Sequence, residues 1–474
     1  MSVRFAARSF LARPVRSAVL AFGFGFGIAV MAALLGVGEV ILDQASAPEL
    51  QGGGDVVIAG SGAGVDDARY VISTVLGDPQ VAGQMKGFSP TRTTEVYLVR
   101  EGRRQPLVAR GGVPSLERSI GDPETAEIDA WQDAPGDAAW AEPDPASVLR
   151  SLDRFHPIPE TDRWGHSWAE WLYFNGKREE DRFYLSFLFG PRNEAGLRES
   201  LARLQLEVPG GFVNYVSFDA VDEAELLRNA PDVQIGDSSV RLDGLTYRIE
   251  LSMYREDRVR DAEGVPAGAP DLTGEIAIGA VPGRSVPPLE LNGAGNWVSG
   301  YVVPVMSGSL AGSLEVEGRS LSFDGGTGYH DHNWGFWEDV TWQWGQVADG
   351  DLSIVYGRVF PPVAAADPTR LPGFLGVFGP EGPIAVSTQL RIDETDAGDG
   401  TPARIEITAR GQSIDLSLSL DVIGRERSPQ RRTPGGSRRE FIQMRARFDV
   451  RGSVADRELE FETVGSAETF RELE

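Results

Sequence analysis

From about Ser147 onward the chain alternates apolar and polar residues with a period of two. In Asp181–Phe189 (DRFYLSFLF), residues Phe183, Leu185, Phe187 and Phe189 fall on one face, as in a strand packed on a core. The same alternation runs through 212–218, 247–253 and 313–323. The last of these predicts a hairpin about Gly318, with Leu314 and Val316 before it and Leu321 and Phe323 after it. Arg404–Arg410 and Ser413–Leu420 flank Gly411-Gln412, which predicts a tight turn setting Ile405 and Ile407 against Leu416 and Leu418. Further strands are expected at 440–451 and 458–464, and one short helix at Val221–Asn229. Many antiparallel strands joined by short glycine turns imply a barrel or sandwich.

The first third reads differently. A helix is expected over Asp67–Met85, interrupted at Gly77-Asp78-Pro79, and a hairpin of 95–99 with 105–109 about Gly102. Gly121–Ser147 is acidic and proline-rich and reads as a surface connector. At the start, Arg4, Arg8, Arg13 and Arg16 precede an uncharged run from Ser17 to Gly38, with Glu39 and Asp43 after it. About 20 apolar residues span a bilayer, and positive charge marks the cytoplasmic side. The run predicts one helix anchored in the inner (cytoplasmic) membrane, with the bulk of the chain periplasmic or otherwise extracytoplasmic. A cleaved signal ending at Ala45-Ser46-Ala47 is the alternative.

Length and composition add limits. At 474 residues the chain exceeds one ordinary core. The expected organisation is a basic segment (1–16), a transmembrane helix (17–42), a small α/β or irregular segment with connector (43–147), and two β-domains (148–310 and 311–474). A tryptophan-rich strand entry at Trp164–Phe174 and a second at Trp334–Trp344, each followed by hairpins, suggest that these two domains are duplicates. A hydrophobic share of 41% against 24% charged is globular rather than disordered. The net charge of −25 repels phosphate backbones, so no nucleic-acid partner is expected. Without cysteine, disulfides, zinc–thiolate sites and cysteine nucleophiles are excluded.

Candidate chemistry gathers in two aromatic clusters, Arg163–Gly176 (RWGHSWAEWLYFNG) and Gly326–Trp337 (GTGYHDHNWGFW). The chain has four histidines: His166 in the first cluster, His330 and His332 in the second, and His156 just upstream. On a strand, His330 and His332 share one face, with Tyr329 and Asp331 on the other. Three readings stay open. The histidine pair could ligate a metal with His166 or Glu170, though H-x-H is a weak signature and no cofactor is expected. Asp331, walled by Tyr329, Trp334 and Trp337, could hold a proton near neutral pH and deliver it to an alkene. Or the polar groups could satisfy backbone where a strand enters a barrel, with Asp331 and Asn333 tying two barrels together.

TGYHDHNWG, with the upstream AEWLYFNG, resembles the AttH-like family, which includes carotenoid 1,2-hydratase (hydroxyneurosporene synthase). The order of Glu170-Trp171-Leu172-Tyr173, then Trp297 through Tyr301 to Pro304, then the 313–323 hairpin, then Gly328–Gly335 agrees with the family pattern. Leu172 stands where the family has a second tryptophan, and Gly295-Asn296-Trp297 lacks a histidine. The resemblance implies a mainly β fold of two lipocalin-like antiparallel barrels in tandem. It implies Asp331 as proton donor, with Tyr329, His330 and His332 as partners in catalysis. A ligand wall of Trp171, Tyr173, Trp297, Trp334, Trp337, Trp342, Trp344, Glu170, His166 and Asn333 would hold an isoprenoid or lipid. Separately, Arg13-Pro14-Val15-Arg16-Ser17, the span with Gly27–Val30, and Gly53–Val57 are similar to the start of FtsX/MacB-type ABC-transporter permeases. Since no later run is long enough for further spans, that likeness implies an accessory protein beside a permease complex. The first reading is therefore an anchored extracytoplasmic protein that binds an isoprenoid or lipid and passes it to or from that complex; the alternative is a hydratase or cyclase acting through Asp331, and a weaker one a metal-binding accessory protein using His330 and His332.

Overall fold

The computed structural model describes residues 56–58, 68–77, 79–100, 103–262, 264–429, 438–455 and 457–473. The expected basic segment, membrane helix and signal site lie outside the described residues. Among the described residues, no helix is long and apolar enough to cross a membrane. The chain divides into two compact units, residues 1–66 with 79–142 and residues 67–78 with 143–474.

In the first unit the expected hairpin is present, Thr91–Arg100 pairing with Arg103–Gly112. The acidic stretch holds short helices at Pro123–Ala126 and Ala138–Ala141, the first capped by the Asp122 carboxylate accepting from the amides of Glu124 and Thr125.

The second unit is mainly β. Eight strands form a closed antiparallel barrel: β1 (Trp168–Arg178), β2 (Asp181–Arg192), β3 (Arg198–Val208), β4 (Gly211–Val221), β5 (Thr246–Arg255), β6 (Leu272–Gly279), β7 (Val298–Val316) and β8 (Gly326–Phe336). Each strand pairs with the next, and β8 pairs with β1 to close the ring. Closure leaves no sheet edge along these strands. Phe183, Leu185, Phe187 and Phe189 all point into the barrel core with Phe174, Leu204, Ile249 and Ile276. The short helix is Glu223–Asn229, with Asp222 accepting from the Glu225 amide at its N-cap.

The second sheet begins at Thr341, so the expected boundary at 310/311 is displaced. The hairpin about Gly318 and the whole GTGYHDHNWGF strand belong to the first barrel. β7 is 19 residues long and delivers the chain back to β8, which is needed for closure. The two tryptophan-rich stretches are therefore not equivalent openings of duplicated domains. They are the paired seam strands of one barrel, with Trp168 opposite Phe336 and Glu170 opposite Trp334.

Nine strands follow: β9 (Thr341–Asp349), β10 (Leu352–Phe360), β11 (Phe374–Gly379), β12 (Gly382–Ser387), β13 (Gln389–Asp396), β14 (Pro402–Arg410), β15 (Ile414–Pro429), β16 (Arg438–Val454) and β17 (Arg457–Leu473). Their order is β12-β11-β10-β9-β17-β16-β15-β14-β13, with the end strands unpaired to each other. The sheet curls around Ile354, Leu375, Ile407, Leu418 and Met444 as a half-barrel rather than a second closed ring. Ile407 does oppose Leu418, but Ile405 opposes Leu420, because the turn is longer than a two-residue hairpin.

The outer face of the barrel seam packs on the half-barrel through Tyr173, Tyr184, Val303, Met306, Tyr329, Trp344, Val355 and Phe378.

Candidate functional site

Strand alternation splits the GTGYHDHNWGF motif into two environments. Opposite pairs across the seam are Tyr329 with Asn175, Asp331 with Tyr173, and Asn333 with Trp171 on the outer face. His330 with Phe174, and His332 with Leu172, face the barrel interior.

Inside, the histidines serve two carboxylates. Asp153 ends the helix Pro145–Leu152 and is fully buried. Its Oδ2 accepts from His330 Nε2 at 2.9 Å and from Tyr247 Oη at 2.8 Å, and its Oδ1 accepts from His332 Nδ1 at 2.8 Å. His330 also donates from Nδ1 to the Tyr173 carbonyl at 2.9 Å. Glu170 Oε1 accepts from His332 Nε2 at 3.2 Å and from both the amide and Nδ1 of His156 at 2.8 Å. The Arg198 guanidinium lies 3.6 Å from Glu170 Oε2 and is itself tied to Glu223. Burial alone would raise Asp153, but His330 and His332 outweigh it and hold the carboxyl well below the usual range. Burial also opposes ionisation of Glu170, and the imidazoles of His156 and His332 overcome it. His332, against the pull of burial, is pushed up to about 9 by its bonds to the two carboxylates. The result is an ion cluster sealed in the barrel, in which every named imidazole nitrogen facing a carboxylate is engaged.

Outside, Asp331 meets a different environment. It is 3% exposed. Tyr329 Oη donates to its Oδ2 at 2.9 Å, and Asn333 Nδ2 donates to its Oδ1 at 2.8 Å. The phenol oxygens of Tyr329 and Tyr301 lie 2.8 Å apart, and Trp344 Nε1 of β9 donates to Tyr301 at 3.0 Å. The rings of Tyr173, Tyr329 and Trp344 form a triangle with centroid separations of 6.4, 5.4 and 5.8 Å. The opposing wall is laid out in cross-strand rows. Trp344, Glu468 and Gln443 form one row, and Trp342, Phe470 and Phe441 another. These rows meet β1: Gln443 Oε1 accepts from Tyr173 Oη at 3.4 Å, Gln346 donates to Asn175 Oδ1 at 3.2 Å, and Trp342 lies against Trp171 at 6.1 Å.

Burial, and then the nearby Glu468, push Asp331 well above the ordinary carboxyl range despite its Tyr329 and Asn333 donors. Burial raises Glu468 to about 7, with Tyr173 and Gln443 opposing. Glu468 Oε1 is enclosed and has no hydrogen-bond partner among the described residues. Two carboxyls facing one aromatic layer cannot both ionise cheaply, so the pair favours the protonated form of Asp331.

The sequence-predicted residues divide accordingly. Asp331, Tyr329, Asn333, Tyr173 and Trp344 come together, with Trp171, Trp337 and Trp342 along one flank, Trp171 and Trp337 centred 4.7 Å apart. His330, His332 and Glu170 face the barrel interior instead, so they do not touch a ligand in the outer layer. Trp334 is stacked on His156 at 4.0 Å, also away from Asp331. Trp297 is fully buried with Trp164, Trp168 and Phe336 at the barrel end and donates to the Phe336 carbonyl at 2.9 Å. Both tryptophans fall outside the expected ligand wall because their alternation or position turns them away from the half-barrel. His166 is 62% exposed and meets Glu338 rather than the cluster. Asp331 and Asn333 bond each other on their own strand instead of tying the two sheets together. Of the metal reading, His330 and His332 share Asp153 and not a common vacant centre. The group with ligand-like spacing is His156, Glu170 and His332, whose facing atoms are already hydrogen-bonded together.

Sequence reasoning missed Asp153, Tyr247, Arg198, Tyr301, Gln443 and Glu468. Asp153 had a signal, the Asp-x-x-His spacing to His156 ahead of the first cluster. Glu468 had one only in hindsight of register, as an acidic residue opposite Trp344.

No family model matches the chain, and no curated protein matches it. Solved structures similar to it include a putative AttH from Nitrosomonas europaea, 14% identical with a TM-score of 0.43, covering 66% of this chain and 99% of that one. CghA with Sch210972 is 12% identical with a TM-score of 0.44, covering 67% and 94%. Kievitone hydratase from Nectria haematococca is 15% identical with a TM-score of 0.41, covering 66% and 93%. At these identities and TM-scores the likenesses assign no chemistry to the chain.

Proposed function

We propose that the protein takes an apolar, unsaturated small molecule of the isoprenoid or lipid kind into the layer between barrel and half-barrel, and that Asp331 protonates a carbon–carbon double bond of it. The carrying observation is geometric: the Asp331 carboxyl, buried and held by Tyr329 and Asn333, faces the rings of Tyr173, Tyr329 and Trp344, where burial and then Glu468 favour its protonated form. Transfer of the Asp331 proton to an alkene carbon leaves a carbocation on the neighbouring carbon, which the π-faces of those rings stabilise. Attack of water on that cation, with its surplus proton returned to the Asp331 carboxylate, gives net hydration. Attack by a second double bond of the same molecule, followed by proton loss to that carboxylate, gives cyclisation. The inner ion cluster acts as a frame: it fixes β8 and so the position of Asp331. Attachment to a membrane beside a permease complex rests on the N-terminal sequence and belongs to the same proposal.

The test is conversion of a panel of acyclic polyenes in deuterated water. Carbon-bound deuterium in the product of the wild type, lost in Asp331→Asn, supports the acid role. If the wild type incorporates none, yet extracts with a stoichiometric lipid that Asp331→Asn also retains, the protein is a binder without turnover.

A further inference from the structure

At the end of the seam, Lys177 on β1 and Arg182 on β2 stand directly opposite each other in the ladder. They share the outer face with Tyr173, Asn175 and Tyr184, the face that packs on the half-barrel. Like charges at opposed positions destabilise a sheet, and these two are withdrawn from solvent as well. Arg182 is 7% exposed, its Nε is enclosed, and its side chain makes no hydrogen bond or ion pair among the described residues. Lys177 Nζ finds only the Val464 carbonyl, at 3.2 Å.

The acidic groups nearby do not answer this charge. Glu207 and Glu180 are engaged by Arg445, at 2.7 and 3.1 Å. Glu462 lies 3.5 Å from Arg447. Asp349 is exposed and not within ion-pair distance of Lys177, and Glu179 is exposed in the turn. Arg178, adjacent, bonds only the Ser322 carbonyl. Burial and the neighbouring cation both weaken the charged form of Lys177, as expected of a site lacking its counter-ion.

The two cations line both an open groove at the surface and a narrow crevice that runs inward along Asn175, Tyr184 and Gln346 to Tyr329. Tyr184 Oη is enclosed there beside Ser466. The crevice therefore joins a cationic mouth to the tyrosine that bonds Asp331. Lys177 lies four residues beyond Tyr173, the partner of Asp331, which at about 3.3 Å per residue is about 13 Å.

We infer that Lys177 and Arg182 bind the anionic end, a carboxylate or phosphate, of an elongated unsaturated ligand whose apolar body extends toward Asp331. The inference deepens the proposed function and rests on it for the body of the ligand. It does not rest on it for the anion. Recognition by two converging cations selects amphiphilic anions over neutral hydrocarbons, alcohols and esters, and sets the distance from head to reacting double bond.

Binding of a fluorescent conjugated polyene carboxylate and of its methyl ester to the full chain tests this. The wild type should bind the acid at least about tenfold more tightly than the ester, the effect of one charge-assisted contact. Arg182→Gln and Lys177→Met should each remove that preference while leaving ester affinity unchanged, and Asp331→Asn should leave the preference intact. Equal binding of acid and ester by the wild type overturns the inference, as does parallel loss of both probes in the two cation variants. If neither probe binds, the polyene reading falls and inorganic phosphate decides the anion site. A rise in wild-type melting temperature with phosphate that is absent in Arg182→Gln supports a site for a free anion, and no rise overturns it.

Discussion

Asp331 and His332 are consecutive residues on the two faces of one strand, and both are driven toward the protonated form for opposite reasons, His332 by carboxylate partners and Asp331 by burial. His332 is an imidazolium clamped between Asp153 and Glu170 inside the barrel. Asp331 is a neutral acid among aromatic rings outside it. Period-two geometry separates their environments along an unbroken register with β1, although β7 is bulged opposite them between Val302 and Val305.

Replacing Asp331 by Asn keeps the size and the oxygen that accepts from Asn333, turns the edge facing Tyr329 into a donor that the Tyr329 hydroxyl can accept, and removes the acidic proton. Turnover should fall at least about 100-fold, the usual scale of a lost general acid. Folding should be retained, since a neutral group replaces a neutral group. Near-wild-type circular dichroism with abolished deuterium incorporation is the expected pair of results. Unchanged turnover would remove Asp331 from the chemistry.

Asp153→Asn should be costly. It leaves the buried His332 cation with one carboxylate rather than two, and breaking one side of a buried ion pair destabilises by about 3–5 kcal/mol. Urea unfolding should show the drop in midpoint. An Asp153→Asn protein as stable as the wild type would mean that the inner cluster does not hold β8.

Stability should decline with rising pH in two steps. Glu468 has a folded-state pKa of about 7, above the ordinary glutamate value of about 4.3, so the folded state binds more protons in that interval. Its contribution is complete below the unfolded value and is lost as pH rises through about 7. His332, raised from about 6.5 in the unfolded chain, contributes fully below that value and loses its contribution as pH rises through about 9. On the acid side, Asp153 and Glu170 have lowered folded-state pKa values, so their contribution is present above the unfolded range and lost as pH falls. Glu468→Gln should flatten the first alkaline step and leave the second. Unfolding midpoints at a series of pH values check this, and an unchanged first step in the variant would assign it elsewhere.

Gly300 on β7 faces Trp334 across the ladder. A Cβ there would lie 1.9 Å from the indole Cε2. Gly300→Ala must displace Trp334, and with it the stacked His156. An overpacking cost of about 1–3 kcal/mol is expected, read as a lower melting temperature. An Ala variant with wild-type stability would mean that the indole has room to move.

The alternating runs made the strands legible, as did the opposed faces of Asp331 and the histidines, because both follow from a period the residues carry locally. Barrel closure was not legible. That β8 returns to β1 depends on pairing across about 150 residues, and no local pattern states it. The two tryptophan-rich stretches resemble each other because they are neighbours across a seam, and sequence alone offered repetition as the simpler explanation. Trp297 was drawn into the site by the family resemblance and His166 by its place in the first aromatic cluster, whereas burial at the barrel end and exposure to solvent set them apart from Asp331. Asp153 and Glu468 come from a helix end and the last strand of the half-barrel, and only tertiary register brings them in.

The seam strand has a consequence for biosynthesis. Strands β1 to β7 can zip together locally as they leave the ribosome, but the ring stays open until residue 336 has emerged. Until then β1 and β7 present bare edges, and open edges invite pairing with other chains. The strand that carries Asp331 is thus also the last stave of the barrel. A substitution that slows its docking should show first as inclusion bodies during expression, before any defect in purified material.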